Sequence, residues 1–365
     1  MTTTQKPQAL SVVRPSTDPL RLDRGETVHV GVDVHKRTYH IALVSNQRGL
    51  IATWVQPARP EVLLERLQPI RNRVAQVVYE AGPTGFGLAR KLLAEGYAVQ
   101  VIAPSKLLVT VGPEAKSDRL DCRRLAVLAQ KGLLRAVRVP TPQEEADRQV
   151  LRLREQLVRK SRTVHQQIKA FLLQHGIAEP AGLGHWSNQA VEALRQLDLL
   201  PELRFCLDVM LDELEHARSQ VARATKRLEE LARAERHHEA TEVLRSVPGV
   251  GPITAMSFRL EVPEPGRFEN AGQVASFLGL APQVRQSGPT RREGGLLKSG
   301  NPRLRAVLVE AAWRWVGGDD WAAGRHRRLV ANTGSSQKAI VAMARRLGVL
   351  LWHLSVRGEV YRLTA

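Results

Sequence analysis

Apolar and polar positions alternate with period two from residue 27 to about residue 57, in three runs: Val28 to Asp33, Thr38 to Val44 and Leu50 to Val55. Turn-forming residues (Ser45-Asn46, Arg48-Gly49) fall between the second and third runs, so the stretch predicts an antiparallel meander. A helix is expected over Pro60 to Leu67, a buried strand over Gln76 to Tyr79, a helix from Thr84 to Glu95 ended by Gly96, and a strand from Ala98 to Ile102 closed by Pro104. With a further helix over 118–134, the order β-β-β-α-β-α-β-α predicts an α/β, RNase H-like domain.

Beyond the break at Pro140 to Pro142 the period changes. From Gln149 a long basic helix is expected, with Val150, Leu153, Leu157, Val164, Ile168 and Phe171 on one stripe. Leu207, Met210, Leu214, Ala217, Val221, Ala224, Leu228 and Leu231 then alternate spacings of three and four, as in a coiled-coil seam. Two readings stand for that seam: a helical hairpin within one chain, or a coiled coil between chains. From about residue 241, Ser246 to Ala255 has the form of a helix-hairpin-helix turn. Gly249 and Gly251 there would let backbone N–H groups approach a phosphate, or simply make a helical corner. The remainder is read as mainly helical. These changes divide the chain into a tail (1–25), an α/β domain (26–140), a helical coiled-coil region (141–240) and a C-terminal domain (241–365).

Charge changes the picture most. Lys and Arg number 54 against 36 Asp and Glu, a net charge of +18. Such an excess favours a polyanionic partner, nucleic acid before a membrane surface. No segment is read as approaching the ~18 apolar residues of a spanning helix. The first 25 residues are rich in Thr, Pro and Ser and lack the apolar stretch of a signal peptide. Two distant cysteines, Cys122 and Cys206, exclude a disulfide framework and a multi-cysteine zinc site, and fit a reducing cytoplasm.

Against that basic background four acids stand out. Asp33 ends the first strand pattern, Glu80 ends another, and Asp118 and Asp121 lie i, i+3 at the start of a helix. Crowded carboxylates repel unless a cation is present, and hard Mg2+ or Mn2+ suits an all-oxygen set. Two such ions can align the attacking and leaving oxygens at a phosphodiester. Singly, each acid has a plainer explanation: Gly-x-Asp also follows strands in sugar-kinase and actin-like folds, and Asp118 and Asp121 suit a helix N-terminus. His35 and His40 are read as outward-facing surface residues. A second set lies near the C-terminus, where Ser287 is expected in a polar loop among Arg285, Arg291, Arg292, Lys298, Arg303 and Arg305. Clustered cations would stabilise charge developing at a phosphate attacked by a serine. Ser299 competes for the nucleophile's role, and a loop serine without chemistry is the plainer reading.

Taken together, Gly31-Val-Asp33-Val-His-Lys36, Glu80-Ala-Gly-Pro-Thr-Gly85, Lys116-Ser-Asp118-Arg-Leu-Asp121, Pro248-Gly-Val-Gly251, Gly279-Leu-Ala-Pro282, Gln286-Ser287-Gly288 and Lys298-Ser-Gly-Asn301 resemble the IS-one-ten family of bacterial insertion-sequence transposases, over roughly residues 27–355. Two small departures are Ser117 where Thr is usual and Cys122 where Ala is usual. The resemblance implies a RuvC-like domain whose metal-binding acids are Asp33, Glu80, Asp118 and Asp121, and it implies that Ser287 becomes covalently joined to DNA. It implies a coiled coil used in assembly of a homo-oligomer, dimer or tetramer. It also implies a bridge (guide) RNA pairing with donor and target DNA, and a cytoplasmic, nucleoid-associated protein. Gly249, Gly251, Arg285, Lys298, Asn301 and Arg303 are then expected at the nucleic acid. The alternative function is a RuvC-like, metal-dependent, structure-specific nuclease; a third is a binding protein with a vestigial fold.

Overall fold

The computed structural model describes residues 20–104, 118–287, 290–297 and 299–362, with the backbone alone at 118–120, 284–287 and 290–293. Residues 1–19 of the expected mobile tail lie outside these, as does Lys298; residues 20–25 correct that expectation, since Leu20 and Leu22 pack against the core of the first unit. The chain forms two compact units, residues 1–141 and 142–365.

The first unit is built on a sheet of β1 (Val28–Val34), β2 (Thr38–Ser45), β3 (Gly49–Pro57), β4 (Val74–Glu80), β5 (Val99–Ile102) and β6 (Ala136–Val137), in the order β3-β2-β1-β4-β5-β6. β1, β2 and β3 are antiparallel, whereas β4 lies parallel to β1 and β5 parallel to β4. An antiparallel meander continued by parallel strands is the RNase H-like order expected. Side-chain alternation divides the sheet into two faces. On one, Val28, Val30, Val32, Ile41, Leu43, Val77, Tyr79 and Val101 pack with Leu63 and Leu67 of α1 (Pro60–Leu67) and Leu88 and Leu92 of α2 (Gly87–Ala94). On the other, Val78 and Ile102 pack with Leu125 and Ala129 of α3 (Asp118–Gln130). Helix α2 starts three residues later than its sequence suggests. Gly85 takes a left-handed φ of +72° in the turn that follows β4, and a helix cannot run through it.

The second unit is mainly helical. Two 33-residue helices, α4 (Pro142–Gln174) and α6 (Pro201–Arg233), lie along one another. Arg154 Nε donates to Thr225 Oγ1 at 2.8 Å. Leu151 clusters with Leu228 and Leu231, and Val164, Ile168 and Leu172 cluster with Leu207, Leu211 and Leu214. Rising numbers on α4 meet falling numbers on α6, so the pair is antiparallel and within one chain. The stripe expected on α4 needs correction: Leu153 is exposed, and the buried line runs through Leu151, Val164, Ile168 and Leu172. The helix also begins at Pro142 rather than Gln149, because proline at a first helical position forfeits only an N–H that has no partner anyway.

A short helix, α5 (Asn188–Arg195), packs against the α4–α6 pair through Ala190 and Leu194. Helices α7 (Glu235–Arg245), α8 (Pro252–Glu261), α9 (Ala271–Phe277), α10 (Pro302–Gly318), α11 (Asp320–Thr333) and α12 (Ser336–Arg357) form the rest, with a hairpin of β7 (Pro282–Ser287) and β8 (Thr290–Leu296) between α9 and α10. Their core includes Leu244, Phe258, Leu278, Leu308, Trp315, Met343 and Leu347. The expected boundary near residue 240 falls inside this unit, since α8 packs on α4 and α6. One expectation is corrected here. Helix α12 is long and apolar enough by length and composition to cross a membrane, with a mean hydropathy of 1.4, although no such segment was read in the sequence. Half of that stretch is buried inside the protein, where Ala339, Ile340, Met343, Ala344, Leu347 and Leu351 face the helical core. Its length and apolar content thus serve packing against α10 and α11.

Candidate active site

Register brings the first two acids together. Val32 of β1 pairs with Tyr79 of β4 in parallel, so Asp33 and Glu80 lie side by side one residue further, where both strands end. Alternation puts both on the face that carries α3, because Gly31 and Val78 of that face contact it. Helix α3 approaches unusually closely. A Cβ at Gly31 would collide with the carbonyl oxygen of Cys122 and lie 2.7 Å from the backbone nitrogen of Ala126. Glycine is therefore required there by close approach, and this contact sets Asp121, next to Cys122, beside the end of β1. Burial pushes the Cys122 thiol up to about 11, and the charges of Asp33 and Asp121 add to the effect. Both acids are thus electrostatic neighbours of one buried side chain. Cys122 stays a neutral packing group at physiological pH.

Asp118 opens α3, but its side chain is outside the described residues, as are Lys116 and Ser117. Among the described residues no group of three His, Cys, Asp or Glu side chains could hold a metal ion. The donor chemistry of Asp33, Glu80 and Asp121 nevertheless suits a hard divalent cation.

The sequence reading missed one partner. His35 is exposed, as expected, yet its Nε2 lies 3.0 Å from Asp33 Oδ2. His40, opposite Asp33 in the β1–β2 register, brings its ring to 5.5 Å from that of His35. The signal was present as the i, i+2 spacing of Asp33 and His35, which places both on one side of an extended chain.

Ser287 is in the other unit, and its expected setting is corrected: it ends β7, paired with Thr290 of β8, instead of lying in a loop between helices. Arg285 pairs with Arg292 in the same ladder, and Gln286 with Arg291, so the hairpin carries several arginines along its backbone. Its base is tightly closed. Leu297 N donates to Ala281 O at 3.0 Å and Asn301 N to Phe277 O at 2.8 Å. The backbones of Gly279 and Gly300 touch; a Cβ at Gly300 would meet Gly279 and sit 2.7 Å from Ser276 O. Asn301 caps α10 by accepting from the backbone N–H groups of Arg303 and Leu304, and its Nδ2 donates to Glu261 at 3.0 Å. Arg303 pairs with Glu155 at 3.2 Å. Gly249 takes φ +81°, and a Cβ there would stand 2.6 Å from the backbone nitrogen of Trp315. Gly251 has open space around it. Asn301, Arg303 and Gly249 thus all have structural work within the protein, apart from any role toward nucleic acid.

A DEDD-type IS110 transposase model matches residues 30–177, the span holding all four acids. A second, described as the transposase IS116/IS110/IS902 family, matches residues 241–327, the span holding Ser287. A putative transposase, y4qE, of Sinorhizobium fredii is 32% identical over 89% of this chain and 88% of its own length. The chain belongs to the IS110 family of transposases. Its relatives also include the transposase for insertion sequence element IS1111A of Coxiella burnetii, 26% identical over 80% of each chain. Among solved structures, T. thermophilus RuvC in complex with Holliday junction substrate overlaps 30% of this transposase and 99% of its own chain, at 15% identity and a TM-score of 0.20, too slight a likeness to inform the fold. As a transposase, the protein is an enzyme that cuts and rejoins DNA.

Proposed function

We propose that this transposase recombines donor and target DNA through a covalent serine–DNA intermediate, guided by an RNA. The observation that carries the reading is the juxtaposition of Asp33 and Glu80 at the ends of adjacent parallel strands, with the Asp121 helix closed onto Gly31 of the same face. In this reading Asp33, Glu80, Asp118 and Asp121 hold Mg2+ or Mn2+. The ion's chemistry is to neutralise charge on the phosphate under attack. His35 holds one oxygen of Asp33 and so orients the carboxylate.

The Ser287 hydroxyl oxygen forms a bond to phosphorus. The bond from phosphorus to one sugar oxygen breaks, and that oxygen takes up a proton and leaves as a free hydroxyl. A hydroxyl of the partner strand then attacks the same phosphorus, and Ser287 is released with its proton restored. Phosphodiester energy is conserved throughout, so no nucleotide cofactor is consumed. Arg285, Arg291 and Arg292, neighbours of Ser287 in sequence, and Lys298 after them are assigned in this reading to the charge that develops at the phosphate. Gly249, Gly251, Asn301 and Arg303 support the nucleic-acid face.

Three functional parts follow: a RuvC-like domain (26–140), a helical region (141–240) and the serine-bearing C-terminal domain (241–365), preceded by a tail (1–25). The protein acts as a dimer or tetramer at the nucleoid. Asp33→Asn tests the acidic half. Recombination of element-end DNA in the presence of Mg2+ and the RNA transcribed beside the element should fall below detection, with the far-UV circular dichroism unchanged. Recombination at the parental level would remove the acids from the mechanism.

A further inference from the structure

The overall aromatic content is only 4%, yet aromatic side chains gather in one groove of the second unit, away from the Ser287 hairpin in sequence. It lies along α11, α12 and the segment after α12, with a volume of about 680 Å³, inside the ~300–1,000 Å³ of typical ligand sites. Trp315 and Trp321 form its floor and rim, with rings 5.8 Å apart, and Tyr361 closes one end. Trp315 is 1% exposed, whereas Trp321 is 47% exposed. The Tyr361 hydroxyl donates to Asp319 at 2.7 Å, which fixes its ring.

Arginines supply the other half. Arg345, Arg346 and Arg362 line the groove, and among the described residues no carboxylate does. Arg346 is perturbed downward by burial and then by the charges of Arg325 and Arg345, which marks a crowd of guanidiniums. The Nε of Arg325 is buried without a partner. Like charges crowded beside aromatic faces, with no acid among the described residues that line the groove, suit a ligand that brings its own anion. An apolar helix would leave these arginines uncompensated. A base pair inside a duplex cannot offer its face to a tryptophan, whereas an unpaired base can.

We propose that this groove binds an unstacked nucleotide of a single-stranded nucleic acid, its base on Trp321 and its phosphate on Arg345 and Arg346. The inference rests on the nucleic-acid partnership of the proposed function and adds a contact separate from Ser287.

The test uses the full-length protein and two short oligonucleotides: RNA carrying 5-iodouridine and DNA carrying 5-iodo-2′-deoxyuridine. Photo-crosslinking is followed by mass spectrometry of the modified peptides. The expected adduct is at Trp321 or Tyr361. Its yield should fall about tenfold in Trp321→Leu and clearly in Arg346→Gln. Thermal melting verifies that both variants fold. An adduct with the RNA alone, the DNA alone or both supports the groove and tells which strand it takes. Binding with adducts only elsewhere overturns the groove and leaves the proposed function standing. Failure of both oligonucleotides and of duplex DNA to bind overturns the nucleic-acid partnership itself. A change of oligomeric state in the variants, with unaltered crosslinking, would assign the groove to a second copy of the chain and overturn the proposal.

Discussion

At Gly31 the absence of a methyl group sets how near α3 comes to the sheet, and so where Asp121 stands relative to Asp33. Gly31→Ala must move backbone, because the atoms in the way are a carbonyl oxygen and an amide nitrogen. A cost of about 2 kcal/mol is expected, measured by denaturant unfolding, with loss of recombination larger than the stability loss explains. Full activity would mean that the spacing of the acids is tolerant. Sequence patterns placed Asp33 and Glu80 near strand ends and Asp118 and Asp121 at a helix start, because such positions are readable one residue at a time. They did not expose the His35–Asp33 contact or the reason for Gly31, since both depend on which segments meet. Glu26 is a second residue whose importance is purely tertiary. It is buried against Arg48, with a 2.6 Å ion pair and a hydrogen bond from Ser45. The hydrogen bond from Arg48 holds its carboxyl down to about 2, well below the usual carboxylate range. A depressed folded-state value stabilises the first unit above about pH 4.5, and that contribution is lost as pH falls toward 2. Glu26→Gln should therefore flatten the acid limb of the pH–stability curve; an unchanged limb would place acid sensitivity elsewhere.

At the scale of elements, period was a good guide to type and a weaker guide to setting. The meander and the parallel strands were legible because half-buried strands alternate strictly. The helical seam was legible on α6, where Leu207, Leu214, Leu228 and Leu231 are buried, and in part on α4, where Val164 and Ile168 are buried as expected but Leu151 and Leu172 are buried in place of Leu153 and Phe171. Basic residues dominate α4 and blur its apolar stripe. Ile168 lies fully buried at the heart of the α4–α6 contact. Ile168→Ala should cost about 3 kcal/mol, measured by thermal or denaturant unfolding; a cost under about 1 kcal/mol would mean that this contact yields readily. The Ser287 hairpin was misread as a loop because its strands are short, arginine-rich and bounded by glycine. Gly300→Ala tests how firmly its base positions the serine. The added methyl would force Gly279 and Gly300 apart, so serine-dependent activity should drop with little change in duplex binding; unaltered activity would separate the hairpin's position from its chemistry.

At the scale of the molecule, the proposed mechanism draws on residues of both units. Acids suited to a cation occupy the α/β unit, and the serine with its arginines occupies the helical one. Within the helical unit Asp147 is a buried anchor. It accepts a bidentate pair from Arg236 and a bond from His237 at 2.9 Å, and Arg236 first among these partners holds its carboxyl far below the usual range. The most direct measurement of the central claim is the search for a denaturation-resistant protein–DNA adduct, formed with Mg2+, element-end DNA and the RNA transcribed beside the element. The account predicts an adduct that maps to Ser287, disappears in Ser287→Ala and fails to form in Asp33→Asn. Strand cleavage that persists in Ser287→Ala and leaves no adduct would contradict it, and would make the protein a metal-dependent nuclease in which water attacks the phosphate.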